Sequence, residues 1–159
     1  MTVRRARRED ADACAAVMAV IAEEGRWILT EAPVDVAEWA LGMQARDDPV
    51  WVLSDGDGRI VGHLGLHAVP RAPGVVALGM GLLPEARGQG GGSALLEAAL
   101  EHAAATGVHR VELEVFPENA RAIGLYVKHG FAVEGLKREH WLRKDGSRRD
   151  SLIMARILR

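Results

Sequence analysis

The sequence has a single cysteine, Cys14, among its 159 residues. A lone cysteine excludes a framework of disulfides within the chain, which suits a reducing cytoplasm. No apolar run approaches the roughly 20 residues that cross a bilayer, and the N-terminus is charged, so we expect neither a signal peptide nor a membrane span. A formal net charge of −2 gives no reason to expect a nucleic-acid partner.

Aliphatic side chains and glycine are abundant instead. Hydrophobic residues make up 48% of the chain, charged residues 26%, and there are 18 glycines. This composition predicts one globular domain over residues 1–159, with enough chain for a two-layer core. Cys14 falls on the apolar face of a predicted helix, which favours a core position over a nucleophile.

The most informative stretch joins a strand to a helix through glycines. Val75–Leu83 is apolar and reads as a buried strand, Arg87–Ser93 contains four glycines, and Ala94–Ala105 has helical periodicity. Free N–H groups at a helix start carry partial positive charge, and glycines let a phosphate approach the backbone. The stretch therefore predicts a site for a ligand that carries a diphosphate.

Other readings of these glycines remain open. A Walker loop is excluded because no lysine precedes Ser93. A dinucleotide fingerprint matches only in part, since Pro84 and Arg87 intrude, although Glu112 lies near the spacing of a ribose-binding acid. A glycine-rich surface turn without a ligand is the simplest alternative.

Two segments resemble signatures of the GNAT superfamily of N-acetyltransferases. Residues 87–92, Arg-Gly-Gln-Gly-Gly-Gly, fit the pattern (Arg/Gln)-x-x-Gly-x-(Gly/Ala), and residues 113–131, from Leu-Glu-Val to Gly-Phe, resemble the second signature. The resemblance implies an α/β GNAT fold, with a mixed, mostly antiparallel sheet of about six to seven strands and about four flanking helices. The family's sheet is splayed after its fourth strand by a bulge, and Gly79 and Gly81 support a bulge or a close ligand approach there.

The same resemblance implies acetyl-CoA as the acetyl donor. Backbone amides of Gln89 to Ser93 would hold the pyrophosphate, the pantetheine arm would enter the splay, and an N–H near Gly81 or Leu82 would polarise the thioester carbonyl. The implied contacts are Leu82, Leu83, Arg87, Gly88, Gln89, Gly90, Gly91, Gly92, Ser93, Asn119 and Tyr126.

Acetyl transfer to an amine needs a base, and an acid that protonates the departing thiolate. The resemblance assigns the acid to Tyr126, whose alternative is a core tyrosine with a hydrogen-bonded hydroxyl. Some relatives carry a basic glutamate on the fourth strand, but Val75–Leu83 contains none. Similarity to bacterial ribosomal-protein acetyltransferases makes Glu114 the first choice of base, although it could equally be a structural carboxylate. Glu31 and His67 follow, acting either directly or through a water.

The sequence indicates the residues that would bind the acceptor amine less clearly. Trp27, Glu31 and His67 are predicted to line a substrate pocket, together with His63 and Trp141, although Trp27 could simply pack between helices. Their acidic and aromatic character favours a small amine or an amino acid. The alternatives are a protein N-terminal acetyltransferase, a GNAT module that binds CoA without catalysis, and an unrelated nucleotide-dependent regulator.

His63 and His67 lie four residues apart on one predicted strand and share a face. No third ligand has a supporting spacing, so we expect no metal and interpret the two as a partly exposed or hydrogen-bonded pair. Dimer formation through the last strands is implied only by the family. The predicted strands are Thr2–Ala6, Val50–Leu53, Arg59–Val69, Val75–Leu83, Arg110–Phe116, Phe131–Leu142 and Asp150–Leu158, and the helices are Ala11–Glu23, Val34–Gln44, Ala94–Ala105 and Ala120–His129.

Overall fold

The computed structural model describes residues 1–159 as an α/β fold with a seven-stranded sheet and four α-helices. The strands are β1 (Thr2–Arg5), β2 (Val50–Ser54), β3 (Ile60–Ala68), β4 (Val75–Leu82), β5 (Arg110–Val115), β6 (Ala132–Leu142) and β7 (Arg148–Ile157). The helices are α1 (Ala11–Glu23), α2 (Val36–Ala45), α3 (Gly91–Ala105) and α4 (Ala120–Lys128). No helix is both long and apolar enough to span a membrane.

The strand order is β1-β2-β3-β4-β5-β7-β6, and all neighbours are antiparallel except β4 and β5. The parallel pair is joined through α3, as a crossover connection requires. This arrangement confirms the predicted mixed, mostly antiparallel sheet.

Helices cover both faces of the sheet. On one face α1 packs against β3 and β4, and α2 packs beside α1. On the other face α3 packs against β1, β2 and β3, and its fully buried Leu95 and Leu96 belong to the main hydrophobic core. Cys14 is buried on α1, where burial raises the pKa of its thiol to about 12, so it is a core residue as predicted.

Helix starts account for the main errors in the predicted bounds. α3 begins at Gly91 and not at Ala94, because Gly90, at φ 84°, caps a first turn that itself contains glycines. α2 begins at Val36, since the Asp35 side chain accepts a hydrogen bond from Glu38 N at 3.0 Å. α1 has the predicted bounds, but the carboxylate of Asp10 accepts from Arg7 N and Arg4 and makes no cap bond to the helix.

The sheet is splayed between β4 and β5. Their pairing ends at Ala77 and Glu112, whereas β3 stays paired to β4 as far as Leu82. The β3–β4 register runs through Gly79 and Gly81 without a shift, so the predicted splay is present but no bulge interrupts that ladder. The opening arises because the parallel strands diverge.

β6 forms one edge of the sheet. Its pairing with β7 shifts register twice, between Val133 and Gly135 and between Lys137 and Trp141. Glu139 lies in the second irregularity at φ 49°. These irregularities bend the edge and make it a poorer template for another strand.

Candidate functional site

The loop between β4 and α3 contains a run of unused backbone donors. Arg87 N donates to Pro84 O at 3.3 Å, and Ala94 N donates to Gly90 O at 3.1 Å. No N–H from Gly88 to Ser93 donates to an acceptor within the chain. Free donors at a helix N-terminus favour an anion, so the predicted anion site has the required chemistry, and its donors fit a diphosphate.

Packing fixes the position of these donors. A Cβ on Gly91 would lie 2.4 Å from Leu53 Cδ2, and a Cβ on Gly92 would lie 3.0 Å from Leu125 Cδ2. The two glycines thus let the first turn of α3 sit directly on β2 and α4. Gly88 and Gly90 have φ values of 72° and 84°, in the left-handed region that favours glycine.

Arg87 braces the loop from the other side. Its Nε donates to Leu82 O at 3.0 Å, and its terminal nitrogens hold both carboxylate oxygens of Glu24, one at 2.9 Å. The hydrogen bond from Arg87 also lowers the pKa of Glu24. The guanidinium is thus occupied within the chain, and Arg87 connects β4 and α1 to the loop.

One continuous cleft of about 1880 Å³ extends from this loop through the splay to the α1–α2 face of the sheet. The predicted site residues on its lining are Trp27, Glu31, His67, Leu82, Arg87, Gly88, Gly90, Gly92, Ser93, Glu114, Asn119 and Tyr126. Leu83, Gln89 and Gly91 do not line it. The fold therefore brings segments that are remote in sequence to one opening.

β4 turns alternate backbone groups toward the splay. Leu83 N donates to Val61 O at 2.8 Å and Val69 N donates to Val75 O at 3.1 Å, which fixes the odd-numbered residues of β4 as those bonded to β3. The N–H groups of Met80 and Leu82 consequently face the gap beyond the last β4–β5 pair. Of the two predicted donors, the ladder uses Gly81 and leaves Leu82.

Leu83 is a correction to the predicted contacts. Its N–H is held by Val61 O and its C=O accepts from Ala86 N at 2.9 Å. Its side chain is buried in the main core. Neither its backbone nor its side chain is available to a ligand in the cleft.

Tyr126 is 7% exposed and packs against Phe131, with 5.7 Å between ring centroids. Burial raises the pKa of its phenol to about 12, so the hydroxyl is protonated at neutral pH. The hydroxyl makes no hydrogen bond to another residue, and its oxygen is not completely shielded from solvent. The alternative of a core tyrosine with a satisfied hydroxyl does not apply, and a proton donor is left at the cleft.

Asn119 and Ser93 lie where α4 meets the glycine loop. Asn119 Oδ1 accepts from Ala122 N at 3.3 Å and caps α4. Ser93 Oγ is 3.0 Å from Nε2 of His129, at the other end of α4. The contact between Ser93 and His129 ties α4 to the start of α3.

Glu114 borders the cleft with both carboxylate oxygens engaged. Oε1 accepts from Lys137 Nζ at 2.7 Å and Oε2 accepts from Ser151 Oγ at 2.6 Å. Burial alone would raise the pKa of Glu114, but these two hydrogen bonds outweigh it and lower the pKa. At neutral pH the group is a carboxylate that links β5 to β6 and β7.

Glu31 lies on the cleft wall, but its carboxylate is used within the chain. Both oxygens accept from Lys144 N, at 3.2 and 3.1 Å, and Arg143 Nε lies 3.6 Å away. Arg143 is buried and also donates to Leu29 O at 2.8 Å. Glu31 therefore fastens the β6–β7 hairpin to the segment between α1 and α2. Trp27 lies on the same segment, with the Arg26 guanidinium 4.3 Å from its ring centroid.

His63 and His67 share a face and both line the cleft, but they are not a hydrogen-bonded pair. His63 is 7% exposed and meets Trp39 edge-on at 5.4 Å, and its Nδ1 has no partner. Burial, and secondarily the proximity of His67, lowers the pKa of His63 to about 4. His67 instead places Nδ1 2.7 Å from Asp48 Oδ2. No group of three or more metal-ligating side chains is arranged to hold an ion.

Sequence reasoning missed Asp48, Arg143 and Met80. Asp48 lies 19 residues before His67, and Arg143 bonds to a carbonyl 114 residues earlier. No sequence spacing links such pairs. The alternation of β4, in contrast, would have identified Met80 once its pairing with β3 was known.

Comparison with known proteins gives a consistent picture. The acetyltransferase (GNAT) family model matches residues 14–131. The chain is 36% identical over 124 residues to the mycothiol acetyltransferase of Beutenbergia cavernae, covering 69% of this chain and 41% of that protein. It is 36% identical over 104 residues to the L-amino acid N-acetyltransferase AaaT of Escherichia coli, covering 64% of each. The chain thus spans less than two thirds of the length of these relatives.

Among solved structures, a GNAT superfamily phosphinothricin acetyltransferase from Sinorhizobium meliloti, in complex with acetyl-CoA, superposes with a TM-score of 0.89. Sequence identity is 26%, and the superposition covers 99% of this chain and 88% of that chain. The likeness extends over nearly the whole sheet and its helices.

Proposed function

Because the chain belongs to the acetyltransferase (GNAT) family, we propose that it transfers the acetyl group of acetyl-CoA to a primary amine of a small molecule or an amino acid. The observation that carries the proposal is the run of free N–H groups from Gly88 to Ser93, of which Gly88, Gly90, Gly92 and Ser93 line the same cleft as Tyr126 with its unpartnered hydroxyl. One feature suits a diphosphate and the other suits a leaving group that needs a proton.

When bound, acetyl-CoA supplies an acetyl group activated as a thioester. The free N–H groups of Gly88, Gly90, Gly92 and Ser93 would bind its diphosphate, and the gap-facing N–H groups of Met80 and Leu82 would pair with an extended arm as a neighbouring strand does. The Leu82 N–H is the donor best placed to polarise an acyl oxygen. Tyr126, protonated at neutral pH, gives a proton to the departing sulfur.

The acceptor side of the cleft suits a cationic amine. Its lining carboxylates include Glu31, Glu38, Asp48, Glu112, Glu114 and Glu134, of which Glu112 and Glu134 are paired with Arg110 and Glu114 with Lys137. Between β3 and β5 the floor consists of Ala77, Gly79 and Gly81, and a Cβ on Gly79 would meet nothing within 4 Å. A small amine has room over this floor. The base that accepts its proton must then be one of the cleft's acceptors, for which Glu114, Glu31 and His67 are the predicted candidates.

A thiol-release assay tests the proposal, with acetyl-CoA and a panel of amino acids, polyamines, aminoglycosides and short peptides. We expect turnover with one class of small amines, and a lower kcat in Tyr126→Phe with unchanged affinity for acetyl-CoA. Turnover with peptides alone would favour a protein N-terminal acetyltransferase. Tight binding without any turnover would favour a module that only binds CoA.

Titration of CoA and of pantetheine by calorimetry tests the glycine loop separately. Pantetheine lacks the diphosphate, so we expect it to bind much more weakly than CoA. Equal affinities would contradict the assignment of residues 88–93.

A further inference from the structure

His67 and Glu114 differ in how much of each side chain is left free to accept a proton. Both oxygens of Glu114 already accept hydrogen bonds, from Lys137 and Ser151. A proton could reach that carboxylate only in competition with an ammonium group 2.7 Å away. The structure therefore makes Glu114 a poor proton acceptor.

His67 has the opposite arrangement. Its Nδ1 lies 2.7 Å from Asp48 Oδ2, and because a carboxylate oxygen accepts, Nδ1 carries the hydrogen. In the neutral ring the lone pair is then on Nε2, which has no partner in the chain. The side chain is 42% exposed, and His67 lines the cleft.

The ring of His67 lies over Gly65 of β3, next to Gly79 of β4. Cε1 and Nε2 of His67 are both 3.2 Å from the position that a Cβ on Gly65 would occupy. Gly65 pairs with Gly79 of β4, so the free nitrogen lies beside the part of the floor that has no side chains. An amine resting over Gly79 would meet Nε2 from within the cleft.

Several charged or titratable groups line the cleft with His67. Ala77, opposite His67 on β4, has no charge, and Glu112 lies beyond it on β5 in the same row. The charged or titratable groups that line the cleft with His67 on the surrounding elements include Arg46 and Asp48 before β2, Glu38 on α2, His63 on β3, and Glu112 with its partner Arg110 on β5. His63, whose pKa is lowered by burial, stays neutral at neutral pH.

We propose that His67, oriented by Asp48, is the general base of the acetyl transfer, an inference that rests on the proposed function. The ammonium group of the acceptor loses one proton to Nε2 of His67, and its nitrogen then bonds to the acetyl carbon. The carbon–sulfur bond breaks with its electron pair on sulfur, which takes the hydroxyl proton of Tyr126. The remaining excess proton on nitrogen restores Tyr126, and His67 returns its proton to water. Asp48 is a positioning residue that keeps the hydrogen on Nδ1.

The experiment measures kcat and kcat/KM from pH 5 to 9 for wild type, His67→Gln, Asp48→Asn and Glu114→Gln, using the best amine from the panel. General bases contribute about 10²–10⁴-fold, so we expect His67→Gln to lower kcat by at least about 100-fold. We expect an acidic limb in the pH profile that Glu114→Gln retains and His67→Gln loses.

Asp48→Asn is expected to give a smaller fall in kcat and to shift the limb, with little change in KM for the amine. The thermal midpoint and the acetyl-CoA affinity of each variant serve as controls for folding and donor binding. A His67→Gln enzyme that keeps wild-type kcat and its acidic limb would overturn the inference alone. A wild-type protein that turns over no amine would overturn the proposed function, and the inference with it.

Discussion

The packing of Gly91 against Leu53 sets both the stability of α3 and the position of the free N–H groups. In Gly91→Ala the added methyl group would start 2.4 Å from Leu53 Cδ2, whereas carbon atoms in contact are about 3.5–4.0 Å apart. Leu53 is fully buried, so the first turn of α3 must move away from β2 by about 1 Å or more.

The expected magnitude combines two opposing terms. Overpacking of this kind costs about 1–3 kcal/mol, and alanine in place of a helical glycine recovers about 0.5–1 kcal/mol. We therefore expect the free energy of unfolding to fall by about 1–2 kcal/mol. Because the N–H array moves with the turn, we also expect the dissociation constant for acetyl-CoA to rise about tenfold, or about 1.4 kcal/mol.

Urea denaturation followed by circular dichroism measures the first quantity, and calorimetric titration measures the second. Gly124→Ala is the matched control, since Gly124 is an exposed glycine inside α4, away from the cleft, whose Cβ would meet nothing within 4 Å. That variant should gain about 0.5–1 kcal/mol and bind acetyl-CoA normally. A Gly91→Ala protein as stable as wild type, with unchanged affinity, would refute the reasoning.

Three further predictions concern charged groups. Glu24→Gln is expected to weaken acetyl-CoA binding nearly as much as Arg87→Ala, because Arg87 acts by bracing the loop; calorimetry on both variants measures this. The free energy of unfolding of the wild type is expected to fall by on the order of 3 kcal/mol as the pH drops from about 6.5 toward 4. Burial lowers the pKa of His63 to about 4 in the folded protein, so over this range the histidine is protonated in the unfolded chain but not in the folded one. His63→Phe should remove that fall in urea titrations. Asp10→Asn is expected to lower the free energy of unfolding by about 1–3 kcal/mol at pH 7 and by little at pH 2. The hydrogen bond from Arg4 lowers the pKa of Asp10, so the stabilisation is lost as the pH falls through the lowered pKa. Thermal unfolding of both proteins at the two pH values tests this.

Each prediction has a clear contrary result. If Glu24→Gln binds like wild type while Arg87→Ala does not, the guanidinium contacts the ligand directly. A His63→Phe protein with the same pH dependence as wild type would assign the fall to other groups. An Asp10→Asn protein that is equally destabilised at pH 2 and pH 7 would show that packing, and not charge, is the cause.

Local signals predicted the elements of the fold well. The bounds of α1 followed from its apolar spacing and from Gly25, which lies beyond the helix at φ 62°. α3 was predicted three residues short because Gly91 and Gly92 resemble a turn by composition. They lie inside the helix, and they are glycines because the first turn of α3 approaches β2 and α4 too closely for a side chain. That requirement comes from tertiary packing and is not visible in the local sequence.

The site was predictable only where one segment carries it. The glycine loop and Tyr126 were identified from motifs, and Trp27, Glu31 and His67, which were predicted for a substrate pocket, all line the cleft. What these side chains bond to was not predictable, because the partners come from distant segments. Glu31 is held by Lys144, 113 residues away.

The splay between β4 and β5 also affects how the sequence can change. Contacts made by the N–H groups of Met80 and Leu82 and of residues 88–93 depend on the course of the main chain, so exchanges of exposed side chains nearby leave them in place. The opposite end of the cleft is built from side chains such as His67, where a single substitution alters the surface that an acceptor meets. Under the proposed function, a few substitutions could therefore change the acceptor amine while the backbone contacts to acetyl-CoA are retained.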